Sequence, residues 1–212
     1  MYIPPHFNQP ETDALHALIA AHPLATLVTH SSRGGLEANH IPLLLKQDGS
    51  AYGKLVGHVA RANLLAAGSP DEVLAIFHGP DCYISPGWYA TKKESGKVVP
   101  TWNFVVVHAY GNLRVIDEPD WIMNQLDELT LAREQAMPQP WRVGDAPEDF
   151  TARSAATIVG VEISISRLLG KWKVSQNQPE DNQRSVMAAL QSAGTDDARL
   201  MAELIKDNSG MS

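Results

Sequence analysis

The spacing of hydrophobic residues changes along the chain, and the change predicts where helices give way to strands. Residues 10–21 carry apolar side chains at helical spacing, which predicts a first helix that Pro23 ends. From Leu24 to Ile116 the chain instead holds short apolar segments between polar turns, which is the pattern of strands. The predicted strands are 24–30, 36–46, 51–60, 71–79, 82–85 and 99–116.

Turns and one short helix are predicted between the early strands. Residues 31–35 and 47–50 consist mainly of glycine and small or polar residues, a composition that predicts hairpin turns. Residues 61–68 predict a short helix, because Gly68 stands where helices often end.

Helical spacing returns in the C-terminal half of the chain. It predicts an amphipathic helix over residues 118–137, and one or two helices over 179–207 with a break near Gly194. Between them, residues 157–176 have the pattern of a final hairpin. Hairpins are more frequent here than strand–helix–strand alternations, so we predict a mainly β fold, an antiparallel barrel with peripheral α-helices.

The composition is that of a globular protein, and it excludes several classes. Hydrophobic residues make up 44% of the 212 residues and charged residues 19%. The single cysteine, Cys82, excludes a disulfide framework and any multi-cysteine metal site. The formal net charge of -7 provides no positive field that would attract nucleic acid. No apolar run approaches the roughly 18 residues that span a bilayer, and the first residues lack a signal-peptide pattern. We therefore expect a cytoplasmic protein with no membrane contact.

The common short catalytic motifs are missing from the sequence. It contains no GxGxxG, GxxxxGK[ST], HExxH, GxSxG or CxxC, so the usual nicotinamide, nucleotide, zinc-protease and esterase functions lose their main support. Eight histidines are present, and five of them fall on or near predicted strands. A half-buried strand histidine more often hydrogen-bonds a neighbouring group than binds a metal, so we predict no metal site.

One stretch is much richer in chemical groups than the rest of the chain. Residues 77–104 hold six of the chain's fourteen aromatic residues and three lysines, with hydroxyl and amide side chains between them. Flat aromatic faces beside cations and hydroxyls suit a planar, anionic ligand. The alternative is that the aromatic residues form barrel core and the lysines a solvated hairpin tip.

Two further basic segments are candidates for anion binding. Lys171 and Lys173 alternate with apolar residues, so on a strand both lysines point to one face; the alternative is an edge strand with its lysines in solvent. Arg61 and Asn63 lie near a predicted helix N-terminus, and His58 can point into the same space. Here the alternative is that Arg61 caps the helix or lies on the surface.

Six stretches in order resemble one family. They are MYIPPHF (1–7), NHIPLLL (39–45), GHVARAN (57–63), HGPDCYISPGWY (78–89), VPTWNF continuing to HAYG (99–111), and KWKVSQN (171–177). With them the chain resembles the PaiB-type, FMN-binding negative transcriptional regulators of bacteria, over nearly all of residues 1–177. The resemblance implies a split β-barrel like that of the pyridoxamine phosphate oxidase group, and a homodimer with flavin at the subunit interface. It also implies a flavin-binding domain over 1–178, with 179–212 as a C-terminal helical extension.

The resemblance implies a set of FMN-binding residues. Arg61 and Asn63, near His58, contact the flavin phosphate in this interpretation, and residues 85–89 line the ribityl chain and ring. Trp102 and Asn103 lie along the isoalloxazine, and residues 171–176 close the pocket. The full predicted set is His58, Arg61, Asn63, Ser85, Trp88, Tyr89, Trp102, Asn103, Lys171, Ser175 and Gln176. No catalytic residue is assigned.

The sequence departs from the familiar pattern of the fourth stretch at two positions. Asp81 and Cys82 stand where family members often have histidine and alanine. An acid at this position weakens anion binding nearby, which affects the contact rather than the fold.

Three functions follow from these observations. The chain is an FMN-dependent redox protein, a negative transcriptional regulator, or a ligand-free barrel that acts as an interaction module. The residues leave FMN and another planar anion, such as haem, as alternatives. The apolar segment 98–110 predicts a dimer interface, because it is apolar on both faces of its strand. Direct binding to DNA has no support from the charge.

Overall fold

A computed structural model gives the structure of the chain and describes residues 1–31, 35–63 and 72–209. The strands are β1 (Asn8–Gln9), β2 (Leu24–Ser31), β3 (Gly35–Pro42), β4 (Leu44–Lys46), β5 (Lys54–Ala60), β6 (Val73–Ile84), β7 (Thr101–Ile116) and β8 (Ile158–Lys173). The α-helices are α1 (Thr12–Ala21), α2 (Lys92–Ser95), α3 (Pro119–Glu134), α4 (Glu148–Ala155), α5 (Glu180–Ala193) and α6 (Asp196–Ser209). Short 3-10 helices lie at Pro5–Phe7, Pro86–Trp88 and Val143–Asp145.

Most predicted elements are confirmed within two or three residues of their expected bounds. The fold class is confirmed as well, since antiparallel strands dominate and the helices lie at the periphery. The C-terminal helices separate at Gly194, as the sequence predicts. The predicted turn at 31–35 and the predicted helix at 61–68 fall mostly on residues outside the described ranges.

Three predictions of strand ends are wrong, and two of them involve a glycine. The predicted strand 36–46 is divided into β3 and β4, which pair with β2 and β5 respectively, because the backbone N of Leu43 between them donates to Pro23. Residues 73–84 form one strand rather than two, and residues 158–173 form one strand rather than a hairpin. Position 79, within β6, requires glycine because the side chains of Leu18 and Val105 occupy the space that a Cβ atom would need. Position 170, within β8, requires glycine for the same reason, because Leu15 and the backbone oxygen of Gln9 in β1 occupy the space of a Cβ atom. In both strands glycine marks a close approach and not a turn.

The described chain forms two compact units. The first unit comprises Met1–Leu18, His78–Val107 and Leu169–Ser212, and the second comprises Ile19–Phe77 and His108–Leu168. The division into a domain at 1–178 and an extension at 179–212 stays a prediction.

The second unit is built on strands in the order β3-β2-β6-β7-β8-β5-β4. β2 and β3 pair antiparallel, with Leu24 opposite Pro42, and β5 pairs antiparallel with β8, with Ala60 opposite Ile158. Buried and more exposed residues alternate along β2, so one face of this strand is core. Helix α3 packs against β5.

The first unit combines the ends of long strands with the C-terminal helices. β1 pairs antiparallel with the end of β8, with Asn8 opposite Lys171. Helices α5 and α6 pack on each other and bury apolar residues at helical spacing, and α5 also contacts the 3-10 helix at Pro86–Trp88. Within the predicted interface segment 98–110, residues 105–107 are buried inside the chain itself. Val99 and Trp102 are the large apolar residues of this segment that are exposed.

Candidate functional site

The eleven predicted flavin-binding residues are divided between the two units. His58, Arg61 and Asn63 belong to the second unit. The other eight belong to the first unit, namely Ser85, Trp88, Tyr89, Trp102, Asn103, Lys171, Ser175 and Gln176.

The first unit contains a cavity of about 350 Å3, which we call the lysine cavity. Three predicted residues line it: Tyr89, Asn103 and Ser175. The other lining residues are Thr91, Lys97, Val98, Val99, Pro100, Thr101, Lys173, Asn177, Gln178, Pro179 and Asn182. The sequence therefore indicates part of this cavity, and the folded chain adds residues from the loop before β7 and from the start of α5.

A buried hydrogen bond forms part of the cavity wall. Nδ2 of Asn103 donates to Oγ of Ser175 over 2.9 Å, and the two residues are only 1% and 3% exposed. Ser175 has a φ of +64°, in the left-handed region that non-glycine residues rarely adopt. Because Ser175 Oγ accepts this bond, its own proton can be donated to a ligand.

Lys173 lies two residues before Ser175 and also lines the lysine cavity. The sequence marks it as part of a basic segment, but the predicted flavin-binding set does not include it. Its Nζ donates to Oγ1 of Thr101 and, over 2.6 Å, to the carbonyl oxygen of Trp102. Burial lowers the pKa of Lys173 below its usual value, and the nearby charge of Lys171 adds to this effect. The alternation of Lys171 and Lys173 was the signal that could have identified it.

The opposite side of the lysine cavity is held by an amide. Oδ1 of Asn182, on α5, accepts hydrogen bonds from the backbone N and from Oγ1 of Thr91, both over 3.1 Å. Asn182 is 3% exposed, and its Nδ2 also donates to Gln178. This network fixes the loop after the 3-10 helix to the start of α5.

The donor set of the lysine cavity fits an anionic, partly planar ligand. Lys97 and Lys173 are its two cations, and none of the described residues that line it is acidic. Hydroxyl groups of Thr91, Thr101 and Ser175 and the amide groups of Asn177 and Asn182 line the same cavity. Phosphate groups bind to such combinations of positive charge and short donors.

An exposed aromatic surface lies on β6 and β7 in the same unit. Trp102 is 52% exposed, and its ring lies edge-on to that of Tyr83 at 5.9 Å between centroids. Nε1 of Trp102 donates to Oδ1 of Asp81 over 2.6 Å. Asp81, which departs from the familiar family pattern, therefore orients the indole ring.

The remaining predicted residues of the first unit are engaged locally. Nζ of Lys171 lies 5.3 Å from the ring centroid of Phe104 and donates to the backbone oxygen of Tyr2. Both ends of the Gln176 amide bind backbone groups of the preceding turn. Oγ of Ser85 accepts from the backbone N of Gly87 and so caps the 3-10 helix that contains Trp88.

In the second unit, the guanidinium of Arg61 forms four hydrogen bonds. It makes two parallel bonds of 2.6 Å to the carboxylate of Asp117, and it also donates to the backbone oxygens of Ala156 and Ile158. The hydrogen bond from Arg61 lowers the pKa of Asp117 below its usual value. A phosphate that takes both parallel bonds of this guanidinium would replace Asp117.

The other two predicted residues of the second unit contact amide side chains. Nδ1 of His58 lies 2.8 Å from Oε1 of Gln125, which is hydrogen-bond distance. Nδ2 of Asn63 donates to Oδ1 of Asn39 over 2.8 Å. Gln125 is 2% exposed, and within the described ranges its Nε2 has no hydrogen-bond partner.

The described chain has neither a metal-binding cluster nor a membrane-spanning helix. Within residues 1–31, 35–63 and 72–209, no three histidine, cysteine or acidic side chains are grouped so that they could hold a metal ion. In the same part of the chain, none of the helices has the length and apolar character needed to cross a membrane.

Comparison with known families gives one match that covers most of the chain. A family model described as a putative FMN-binding domain matches residues 1–167. This range includes β1 to β7, most of β8 and most of the predicted flavin-binding residues, and it ends before Lys171.

Individual relatives extend the similarity to the whole chain. An uncharacterized protein of Emericella nidulans is 30% identical over 247 residues, covering 100% of this chain and 98% of its own. The protease synthase and sporulation protein PAI 2 of Bacillus subtilis is 30% identical over 210 residues, covering 98% and 97%. Relatives therefore occur in fungi as well as in bacteria.

A solved structure shows the shared fold. The FAD and heme binding protein from Mycobacterium smegmatis superposes with a TM-score of 0.56 at 15% sequence identity, covering 89% of this chain and 80% of that protein. At this identity the similarity concerns the fold alone.

Proposed function

Because the chain belongs to the family of putative FMN-binding domains, we propose that it binds FMN and that the lysine cavity holds the flavin phosphate. The observation that carries this proposal is the donor set of the cavity, which combines Lys97 and Lys173 with hydroxyl and amide groups and contains no acid among its described lining residues. A phosphate in this cavity gains charge-assisted hydrogen bonds that a neutral ligand does not.

The chain's own groups have distinct tasks in this proposal. Lys173 neutralises the phosphate, because desolvation makes its charge costly until an anion lies beside it. Ser175 donates its hydroxyl proton, and its bond with Asn103 fixes the direction of that donor. Trp102 offers an exposed ring face for stacking, held in orientation by Asp81. When bound, the flavin itself supplies the electron or hydride transfer of a redox protein.

Other predicted contacts belong to the proposal as well. Residues 85–89 line the ring and ribityl region of the bound flavin, and Lys171 and Gln176 close the pocket. The predicted phosphate contact of Arg61, with His58 and Asn63, is not part of this proposal, because FMN has one phosphate and the carboxylate of Asp117 already pairs with the guanidinium.

The proposed assembly is a homodimer with flavin at the subunit interface. Its support is the exposed apolar surface of the first unit, where Val99 is 73% exposed, Trp102 52% and Tyr83 48%. Contiguous exposed aromatic side chains of this kind are typical of protein interfaces and ligand sites.

The visible absorption spectrum tests the cofactor. The purified protein is mixed with FMN, freed of excess ligand by gel filtration, and heated so that the released compound can be identified. We expect a flavin spectrum with about one FMN per chain. A protein that passes through the column colourless after this treatment contradicts the proposal and favours the ligand-free interaction module.

A regulatory role is a second candidate function. The name of the Bacillus subtilis relative refers to protease synthase and sporulation. The six stretches of this chain resemble negative transcriptional regulators. The exposed cations Lys92 and Lys93 on α2 are available for phosphate contacts in the first unit. Selection from random genomic DNA fragments at low and high salt tests direct binding, because phosphate contacts weaken steeply with salt. If no fragment is retained even at low salt, direct DNA binding is excluded.

A further inference from the structure

The second unit contains a larger cavity that the flavin proposal does not use. Its volume is about 630 Å3, and residues of α3, α4 and the 3-10 helix at Val143–Asp145 line it. We call it the apolar cavity. Volumes of about 300–1,000 Å3 are typical of small-molecule sites.

Apolar side chains form the inner wall of this cavity. Ile122 and Val143 are 3% and 8% exposed, and Met123 is half-buried beside them. Three small residues, two in α4 and one directly after it, line the cavity at helical spacing, which leaves space that larger side chains would fill: Ala152, Ala155 and Ala156.

Unpaired carboxylates distinguish the charge of this cavity. Asp127 and Glu148 line it with exposed side chains, and neither carboxylate forms an ion pair or hydrogen bond with another residue in the described ranges. The adjacent residue in sequence, Glu128, is paired with Lys46 outside the cavity. The cavity's one described cation, Arg61, is already neutralised by Asp117.

We propose that the apolar cavity binds a small organic ammonium, with its apolar body against Ile122, Met123 and Val143 and its charged nitrogen beside Asp127 and Glu148. The apolar wall selects for a hydrocarbon body. The two unpaired carboxylates select for a cation over a neutral or anionic molecule of the same shape. The site is independent of flavin and belongs to residues of the second unit alone.

Hexylammonium is the probe for this proposal. The protein is labelled with 13C at the methyl groups of its six methionines. The signal that disappears in Met123→Leu is assigned to Met123. At neutral pH we expect a saturable shift of the Met123 signal with hexylammonium. 1-Hexanol, which has the same body without charge, binds about tenfold more weakly, and hexanoate more weakly still.

Two pairs of variants separate charge from shape. Asp127→Asn combined with Glu148→Gln lowers hexylammonium affinity about tenfold and removes its advantage over 1-hexanol. Asp120→Asn, an exposed acid of α3 outside the cavity lining, leaves the affinity unchanged. Ala155→Trp fills the cavity and abolishes the Met123 shift, whereas Ser154→Trp, which does not line it, preserves the shift.

Three results overturn the proposal. The first is equal binding of hexylammonium, 1-hexanol and hexanoate. The second is an unchanged hexylammonium affinity in the Asp127→Asn, Glu148→Gln double variant. The third is the absence of a saturable Met123 shift with hexylammonium. If Ala155→Trp then also changes the oligomeric state in light scattering, the cavity is a contact between copies of the chain.

Discussion

Nδ2 of Asn103 donates to Oγ of Ser175 across 2.9 Å in the wall of the lysine cavity, and the serine holds this position with a φ of +64°. This buried polar pair joins the start of β7 to a segment 72 residues further along the chain. The strained serine therefore serves both the stability of the first unit and the geometry of the proposed phosphate site.

Ser175→Ala is expected to destabilise the protein by about 1–3 kcal/mol, because it leaves a buried amide donor unpaired and keeps a β-carbon at positive φ. Ser175→Gly loses the same hydrogen bond but suits the backbone, so it should be more stable than the alanine variant by about 1 kcal/mol. Urea denaturation of the three proteins measures both differences. Equal stability of the alanine and glycine variants would show that the backbone at position 175 is not strained.

Lys173→Met is expected to weaken FMN binding about tenfold or more, since it removes a cation from the lysine cavity. Riboflavin, which lacks the phosphate, should lose little affinity in the same variant. Fluorescence titration of both ligands measures these changes. The control is Lys92→Met, an exposed lysine of α2 that does not line the cavity and should leave both affinities unchanged. An equal loss for FMN and riboflavin would place Lys173 away from the phosphate.

Trp102→Lys is expected to shift the proposed dimer toward monomer, because it places a charge in the exposed aromatic surface of the first unit. Trp141→Lys is the matched control, since Trp141 is 47% exposed but belongs to the second unit. Light scattering at micromolar concentration measures the mass of each protein. A monomeric parent protein, or a dimer that survives Trp102→Lys, contradicts the proposed interface.

Glu162→Gln is expected to reduce stability at neutral pH by about 1–2 kcal/mol. Burial of Glu162 would raise its pKa, but hydrogen bonds from Lys54 and Arg114 outweigh this effect and hold the pKa below the usual value of 4.5. A lowered pKa in the folded state contributes stability above the unfolded pKa, and this contribution is lost as the pH falls through the folded value.

The stability difference between the parent protein and Glu162→Gln should therefore be full at pH 7 and shrink below pH 4.5. Thermal unfolding across this range tests the dependence. Glu180→Gln, which removes an exposed ion pair with Arg184, should change stability little at any pH. A difference that stays constant from pH 7 into the acid range would show that the Glu162 charge is not its cause.

Local pattern determined much of this protein. Helical spacing predicted α1, α3 and the two C-terminal helices, and short apolar segments between polar turns predicted most strands, because these signals depend on neighbours within one element. The six stretches that resemble the FMN-binding regulators were also legible in the sequence. The family assignment made from them is confirmed, and so is the split-barrel fold class.

Tertiary structure decided what each glycine, cation and acid does. Glycine is common in turns, yet Gly79 and Gly170 lie within continuous strands. At both positions, residues distant in sequence occupy the space that a Cβ atom would need. Arg61 has the chemistry of a phosphate ligand, but Asp117 comes to it from the end of β7 and takes its hydrogen bonds. Lys173 joins a cavity wall only because β8 extends without a turn to the segment beside Thr101. These outcomes depend on contacts between residues far apart in sequence, which hydrophobic spacing does not encode.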